Sequence, residues 1–384
     1  MGTHLSNYLY TMSPGMYGGQ QEDYLRLAEE TISSGVTQLK ANKKDPEEFF
    51  YDILQYFRTQ RQAIATKHGH KEAQLFGKCR TEKAECTGCV MHTALGYPYA
   101  EYNHIMMSFL YKIVSQMKHD LRSFQETQTS CEEEAWGRKV KIDIEILQKP
   151  EIDKLTAPIE EELRKTLDTT KPLNEIIRDL DLMLLLKKQR PDLYKKLILN
   201  MVLTELVATY PSPKIVSWEE HKYDGNSDNF KNIYILATLR IEINGKFYAT
   251  SKYLTWTYTN YVTDPAIRMR NCATIFIIHQ DTFLIDETLR EIAKIFAQAV
   301  KWNRTTESLK ELKNRVSLMR FLYSHCMPSA RGDGAIGDWL ELMLYRYHGF
   351  NDTHFNSRRL PCFETLCSTP SRYLSEYDGI ITIC

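Results

Sequence analysis

Residues 233–256 read IYILATLRIEINGKFYATSKYLTW. Two runs rich in β-branched and aromatic side chains flank the pair Asn244-Gly245. That pair favours a type I′ turn, because both central residues of such a turn need positive φ angles. The sequence therefore predicts an antiparallel β-hairpin that turns at Asn244 and Gly245.

Strand and helix patterns surround this hairpin. Residues 139–147 alternate charged and aliphatic side chains, which predicts a half-buried strand, and the apolar run 272–284 predicts another. Helical spacing of apolar residues predicts helices over 23–39, 45–65, 99–124, 150–167, 172–188, 192–210, 286–302 and 306–323. The expected fold is α+β, mostly helical, with a small, mainly antiparallel sheet between helical N- and C-terminal parts.

Composition along the chain divides it into three regions. Residues 1–20 are rich in glycine and poor in charge, which predicts a flexible arm. Residues 21–218 are predicted to be a helical region with one strand near 139–147. Residues 219–384 are predicted to be an α+β region that holds the hairpin and the C-terminal helices, and its polar start at 219–229 is the expected linker.

The overall composition excludes several classes of protein. Of the 384 residues 43% are hydrophobic, so the chain can bury a core. Lys plus Arg and Asp plus Glu are both 49, and this neutral balance argues against nucleic acid as a partner. No apolar run is long enough to predict a membrane span. Nine cysteines and no apolar signal segment predict a cytoplasmic protein without a disulfide framework.

A lipid anchor is one alternative at the N-terminus. Residues 1–6 read MGTHLS and fit the pattern for myristoylation of Gly2 after removal of Met1. The pattern is short and often matches by chance, so the anchor at Gly2 is an expectation to test by mass spectrometry.

A glycine-rich segment near the C-terminus is the first candidate site. Residues 331–337 read RGDGAIG, and we interpret them as a turn between two helices. Arg331 could clamp an anion bidentately while backbone N–H groups of Gly332, Gly334 and Gly337 approach it closely. The competing interpretation is a plain connection, in which Asp338 caps the following helix.

The same segment contains G-x-G-x-x-G, the spacing of the dinucleotide-binding fingerprint. That fingerprint needs a strand before the glycines and a βαβ unit around them. Residues 309–323 have helical spacing instead. The dinucleotide-binding interpretation is therefore rejected on context.

Residues 328–340 read PSARGDGAIGDWL and resemble a segment, P-x-x-R-G-x-x-A-I-x-[DE], that opens a helix in some bacterial toxins and injected effectors. The resemblance implies an effector- or toxin-like group-transferring enzyme with a phosphorylated or nucleotide substrate. It also implies delivery of this enzyme into a host cytosol. The layout is also similar to the loop of Fic-type AMP transferases. However, the H-P-F start and the acidic-Gly-Asn core are missing and Arg331 precedes the glycines, so no Fic role is assigned to any residue.

A second candidate site is a metal centre. The residues Cys79, Cys86, Cys89 and His92 lie close together as C-x6-C-x2-C-x2-H. Three thiolates and an imidazole can complete a tetrahedral structural zinc site. On this hypothesis the chain is a non-catalytic interaction protein with zinc as its cofactor and another protein as its partner. The alternative hypothesis is that these cysteines bind no metal.

A third candidate site is a thiol nucleophile with a histidine base. His279 ends an apolar run and is followed closely by Asp281, the positions that a base and its orienting acid would take. Cys89, Cys86 or Cys79 could supply the thiol. This set would serve a thiol hydrolase or a transglutaminase, and the sequence alone cannot bring its members together.

Overall fold

The structure is a computed structural model that describes residues 20–80, 90–92, 128–148, 159–176, 180–190, 192–194, 196–197, 233–257, 275–280, 284–356, 361–366 and 368–384. The flexible arm predicted at 1–20, with Gly2, lies outside the described residues apart from its last residue, Gln20. The helices predicted at 99–124 and, beyond 197, at 192–210 also lie outside them.

Helices make up most of the described chain. They are α1 Gln20–Ala41, α2 Pro46–Lys67, α3 Glu160–Thr166, α4 Leu173–Ile176, α5 Leu180–Gln189, α6 Ile285–Val300, α7 Leu309–Cys326, α8 Asp333–Tyr347, α9 Pro361–Leu366 and α10 Pro370–Ile380. Asp45 caps α2 by accepting a hydrogen bond from the N–H of Glu47, and Pro46 occupies the first turn, where a missing N–H costs nothing.

A six-stranded antiparallel sheet holds the hairpin. Its strands are β1 Val90–His92, β2 Gln128–Ala135, β3 Arg138–Gln148, β4 Ile233–Ile243, β5 Lys246–Thr257 and β6 Ile275–Ile278, in the order β1-β6-β5-β4-β3-β2. Asn244 and Gly245 have φ of 53° and 78°, as a type I′ turn requires. The predicted hairpin and the α+β fold are confirmed. A second, two-stranded sheet pairs β7 His354–Phe355 with β8 Ile381–Thr382.

Two strand predictions need correction. The strand expected at 272–284 is described as strand only over Ile275–Ile278, and α6 already begins at Ile285. The region 21–218 contributes β1 and β2 as well as the predicted β3. The sequence of β2, QTSCEEEA, lacks apolar alternation because β2 is the edge strand next to β3, so no periodicity indicates it.

Helices and the sheet share one hydrophobic core. Val140 of β3 and Ile241 of β4 are buried in the same cluster as Phe57 of α2, Phe321 of α7 and Trp339 of α8. Because β3 pairs with β4, the sheet joins the predicted regions 21–218 and 219–384. A separate apolar cluster lies within residues 159–197. No described helix is long and apolar enough to cross a membrane.

Candidate functional site

The glycine-rich segment is helical, which corrects the predicted turn. Helix α8 begins at Asp333, so Gly334 lies in its first turn and Gly337 in its second. Gly332 is the N-cap, and its φ of 91° is a left-handed conformation that glycine adopts without steric cost. Asp338 therefore cannot cap the helix, because it lies inside α8 and is buried.

Gly337 is a glycine because an arginine of the neighbouring helix occupies the space of its side chain. A Cβ at this position would lie 1.9 Å from Nη1 of Arg320 in α7. The backbone of α8 therefore lies directly against the guanidinium of Arg320, a side chain that is fully buried. Packing, rather than a bound ligand, explains this glycine.

Arg320 is the centre of a buried ionic network. Its Nη2 lies 2.7 Å from Oδ1 of Asp338, and its Nε lies 3.9 Å from Oε2 of Glu341. Its Nη1 donates to the carbonyl of Gly334 over 3.2 Å. Glu341 also accepts a hydrogen bond from the hydroxyl of Tyr377. Burial raises the pKa of Glu341 to about 7, although the charge of Arg320 opposes that rise.

Asp333, in the first turn of α8, is also committed to partners within the protein. Its Oδ2 accepts from the N–H of Ser329 at 2.6 Å and its Oδ1 accepts from the hydroxyl of Tyr323 at 2.8 Å. Burial raises the pKa of Asp333, and the positive charge of Arg58 opposes that rise. Arg58 therefore lies near the start of α8.

Residues 76–80 form backbone hydrogen bonds with the turn between α7 and α8, and we call this segment the strap. The N–H of Gly77 donates to the carbonyl of Arg331 at 3.0 Å, and the N–H of Ala330 donates to the carbonyl of Lys78 at 2.8 Å. Arg80 ends the strap and donates to the carbonyls of Cys326 and Met327, each at 2.6 Å. Since the last carbonyls of a helix lack intrahelical partners, Arg80 stabilises the end of α7.

Two glycines let the strap and the turn press directly on α2. A Cβ at Gly77 would lie 2.3 Å from the carbonyl oxygen of Arg58, and a Cβ at Gly332 would lie 2.8 Å from Cγ of Arg61. Gly77 also has a left-handed φ of 72°. We call Arg58, Arg61, Gly77 and Gly332 the arginine junction.

Arg61 is the unusual residue of the arginine junction. Only 7% of it is exposed, and its Nε and Nη1 are buried without a hydrogen-bond partner among the described residues. Its guanidinium lies 4.4 Å from the ring centroid of Phe76 and 5.5 Å from that of Tyr24. The two rings stabilise the cation, but no carboxylate pairs with it in the described part of the chain. Burial lowers its pKa.

Arg58 lies three residues earlier on α2, so the two guanidinium groups leave neighbouring positions on the helix surface. Its Nε and Nη2 are likewise buried without a hydrogen-bond partner within the described ranges. The arginine junction therefore places two guanidinium groups beside the N-terminal end of α8, where the helix dipole is positive and the carboxyl group of Asp333 lies near Arg58.

Arg331, the predicted clamp, has a different environment. Its side chain is 46% exposed and forms an ion pair with Glu72, so its charge already has a carboxylate partner. Of the other predicted ligand-binding residues, Gly332 lies against Arg61, whereas Gly337 lies against Arg320 one turn into α8. The structure therefore does not bring the four predicted ligand-binding residues together at one site.

The predicted thiol and histidine set is described only in part. His279 is buried, and both ring nitrogens have no hydrogen-bond partner among the described residues. Burial, together with the positive charge of Arg80, holds the pKa of His279 well below its ordinary value. Cys89 and Asp281 lie outside the described residues.

The predicted zinc ligands are also described only in part. Cys79 is half-buried in the strap, and its backbone forms an isolated bridge with Ser329. The backbone of His92 ends β1. Cys86 and Cys89 lie outside the described residues. Within the described part of the chain, no three His, Cys, Asp or Glu side chains are grouped to hold a metal ion.

Neither a protein-family model nor a curated protein matches this chain. The physical properties of its own residues therefore carry the functional argument.

The sequence-based interpretation missed Arg58 and Arg61, although one signal was present. The buried apolar positions of α2 are Phe49, Phe50, Ile53, Leu54, Phe57, Ile64 and Ala65. Arg61 follows Phe57 by four residues and precedes Ile64 by three, so helical periodicity places this charged residue on the buried face. A charge at a position of this kind indicates either an ion pair or a ligand.

Proposed function

We propose that the protein is a group-transferring enzyme that binds a phosphorylated or nucleotide substrate where the turn between α7 and α8 meets α2. The observation that carries the proposal is the buried guanidinium of Arg61, which has no carboxylate partner among the described residues. Phosphate groups bind at helix N-termini and to arginine side chains because both present N–H donors in a positive field. The effector- or toxin-like character of the enzyme, and its delivery into a host cytosol, rest only on the resemblance of residues 328–340.

A ligand screen tests this function. The wild type would be heated with a panel of nucleotides and sugar phosphates at constant ionic strength, and we expect at least one of them to raise the melting temperature. Arg61→Gln should lose that response, whereas Arg26→Gln, which changes an exposed arginine on α1, should keep it. Mass spectrometry of the stabilising compound after incubation would then detect transfer of a group. If no phosphorylated compound stabilises the wild type, the proposed function is wrong.

A thiol hydrolase or transglutaminase is a second candidate, and the register of the sheet favours it. Val90, which follows Cys89 in the chain, pairs with Ile278, which precedes His279. Arg80 donates from Nη2 to the carbonyl of Gln280 over 2.9 Å. Both described ends of the chain segment that carries Cys86 and Cys89 therefore lie beside His279. The same observation supports the alternative of a zinc-binding interaction protein.

Alkylation and metal content separate these two alternatives. A thiol nucleophile predicts rapid alkylation of Cys89 by iodoacetamide at neutral pH, slowed in His279→Asn. A zinc site predicts stoichiometric zinc in protein purified without chelator, lost in Cys86→Ser and Cys89→Ser. Cys384→Ser changes an exposed cysteine and is the matched control. If neither rapid alkylation nor zinc is found, both alternatives are removed.

A further inference from the structure

Helix α8 begins without a side-chain cap. Gly332 is the N-cap and has no side chain, and no side-chain cap hydrogen bond is made at this end by the described residues. The first N–H groups of any α-helix have no intrahelical acceptor. Asp333 does not supply one, because its two oxygens accept from Ser329 and Tyr323. The start of α8 therefore presents backbone donors in the positive end of the helix dipole.

A buried guanidinium lies beside these donors. A Cβ at Gly332 would meet Cγ of Arg61 at 2.8 Å and Nε of Arg61 at 3.4 Å, so the arginine runs alongside the N-cap. Its Nε and Nη1 are buried without an acceptor among the described residues. An unpaired charge removed from water is strongly unfavourable unless a counter-charge reaches it. The start of α8 and the side chain of Arg61 are independent observations, and each favours a bound anion at this place.

We propose that Arg61, Arg58 and the first N–H groups of α8 hold the phosphate group of a small phosphorylated molecule. Two guanidinium groups and a helix N-terminus can donate to three oxygens around one phosphorus atom, whereas a planar carboxylate has only two oxygens to offer. Gly332 is needed at the N-cap because any Cβ there would collide with Arg61. This inference deepens the proposed function by naming the group that is recognised and the residues that recognise it.

Calorimetric titration of the full chain with inorganic phosphate, against sulfate and acetate at equal ionic strength, tests the site. The wild type should bind phosphate, acetate should bind at least tenfold more weakly, and sulfate should fall between them. Arg61→Gln should weaken phosphate binding at least tenfold, and Arg58→Gln should weaken it severalfold. Arg26→Gln, on α1, should bind phosphate as the wild type does. Circular dichroism would establish that each variant is folded, and ³¹P NMR line broadening gives a second readout of binding.

Each outcome decides the proposal. Phosphate that binds equally to the wild type, Arg61→Gln and Arg58→Gln, or that does not bind the wild type, overturns the site. Phosphate binding that depends on Arg61, without binding or turnover of any nucleotide or sugar phosphate, keeps the site and removes the proposed function. Nucleotide binding that does not depend on Arg61 removes the site, and it keeps only the substrate class of the proposed function.

Discussion

Two buried arginines, on two helices that both pack against α8, have opposite surroundings. Arg320 of α7 has Asp338 as an ion-pair partner at 2.7 Å, Glu341 nearby and a backbone carbonyl to which it donates. Arg61 of α2 has two aromatic rings and no carboxylate within the described residues. The protein can therefore supply a counter-charge inside its core, and among the described residues it does so for Arg320 and not for Arg61. The Arg320 network therefore has its counter-charges within the fold, whereas Arg61 is the residue on which the proposed anion site rests.

Gly337→Ala should have the largest effect on stability, because it disturbs the ionic network around Arg320. The added Cβ would lie 1.9 Å from Nη1 of Arg320, so the arginine or the helix must shift. Overpacking together with a disturbed buried ion pair should lower the free energy of unfolding by about 3–5 kcal/mol. Urea denaturation monitored by circular dichroism measures the change.

Gly334→Ala is the matched control in the same helix. A Cβ there would lie 3.6 Å from Sγ of Cys362, an ordinary contact, and alanine favours helix by about 0.5–1 kcal/mol over glycine. We therefore expect no loss of stability. Equal destabilisation by Gly334→Ala and Gly337→Ala would contradict the structural role given to Gly337.

Arg320→Met should be nearly as damaging, because it leaves Asp338 and Glu341 buried without their cation. Removing one partner of a buried ion pair typically costs about 3–5 kcal/mol. The same denaturation measurement applies, with Arg26→Gln as the exposed control that should leave stability unchanged. A loss no larger than that of the control would mean that the network contributes nothing to the fold.

Glu341→Gln should have a smaller effect that depends on pH. The folded pKa of Glu341 is raised to about 7 from an ordinary value of 4.5, so folding favours its protonated form. The stability due to this group is therefore complete below pH 4.5 and falls as the pH rises to about 7. The wild type should lose stability relative to Glu341→Gln over that range, as measured by denaturation at a series of pH values.

Glu287→Gln gives the opposite sign and so controls the pH experiment. The hydrogen bond from Lys246 lowers the pKa of Glu287, so this group stabilises the fold above its ordinary pKa and loses that contribution as the pH falls. Parallel slopes for Glu287→Gln and Glu341→Gln would contradict the assignment of Glu341.

Arg331→Ala should have the smallest effect on stability. Arg331 and Glu72 are each nearly half exposed, and exposed ion pairs contribute less than about 1 kcal/mol. Phosphate affinity should also change less in Arg331→Ala than in Arg61→Gln, because Arg331 already has a carboxylate partner. A phosphate affinity that is lost in Arg331→Ala and kept in Arg61→Gln would restore the site predicted from the sequence.

Local patterns predicted much of the fold. Asn244-Gly245 determines its hairpin through the φ angles of two residues, and the alternation in β3 reports burial on one face. The second hairpin turns at Trp136 and Gly137, whose positive φ angles are just as local, but the flanking strand β2 is polar and gives no alternation. The start of α8 was misplaced because Gly337 and Asp338 are typical of a turn and a cap in isolation. Both are instead explained by Arg320, a partner on another helix.

The candidate site was harder to predict than the fold. Arg331 stands in a recognisable glycine-rich segment, whereas Arg58 and Arg61 stand in an ordinary amphipathic helix far from it in sequence. Only the close approach of Gly77 and Gly332 to α2 brings these arginines to the start of α8. That contact depends on tertiary packing, which residue spacing along the chain does not encode.

The effect of inorganic phosphate on the unfolding of the wild type and of Arg61→Met tests the proposed phosphate site most directly. In phosphate-free chloride buffer, Arg61→Met should be at least as stable as the wild type, since it removes a buried charge that has no carboxylate partner among the described residues. Added phosphate should stabilise the wild type alone. If Arg61→Met instead loses several kcal/mol without phosphate, as expected for Arg320→Met, Arg61 already has its partner within the protein and the phosphate site is wrong.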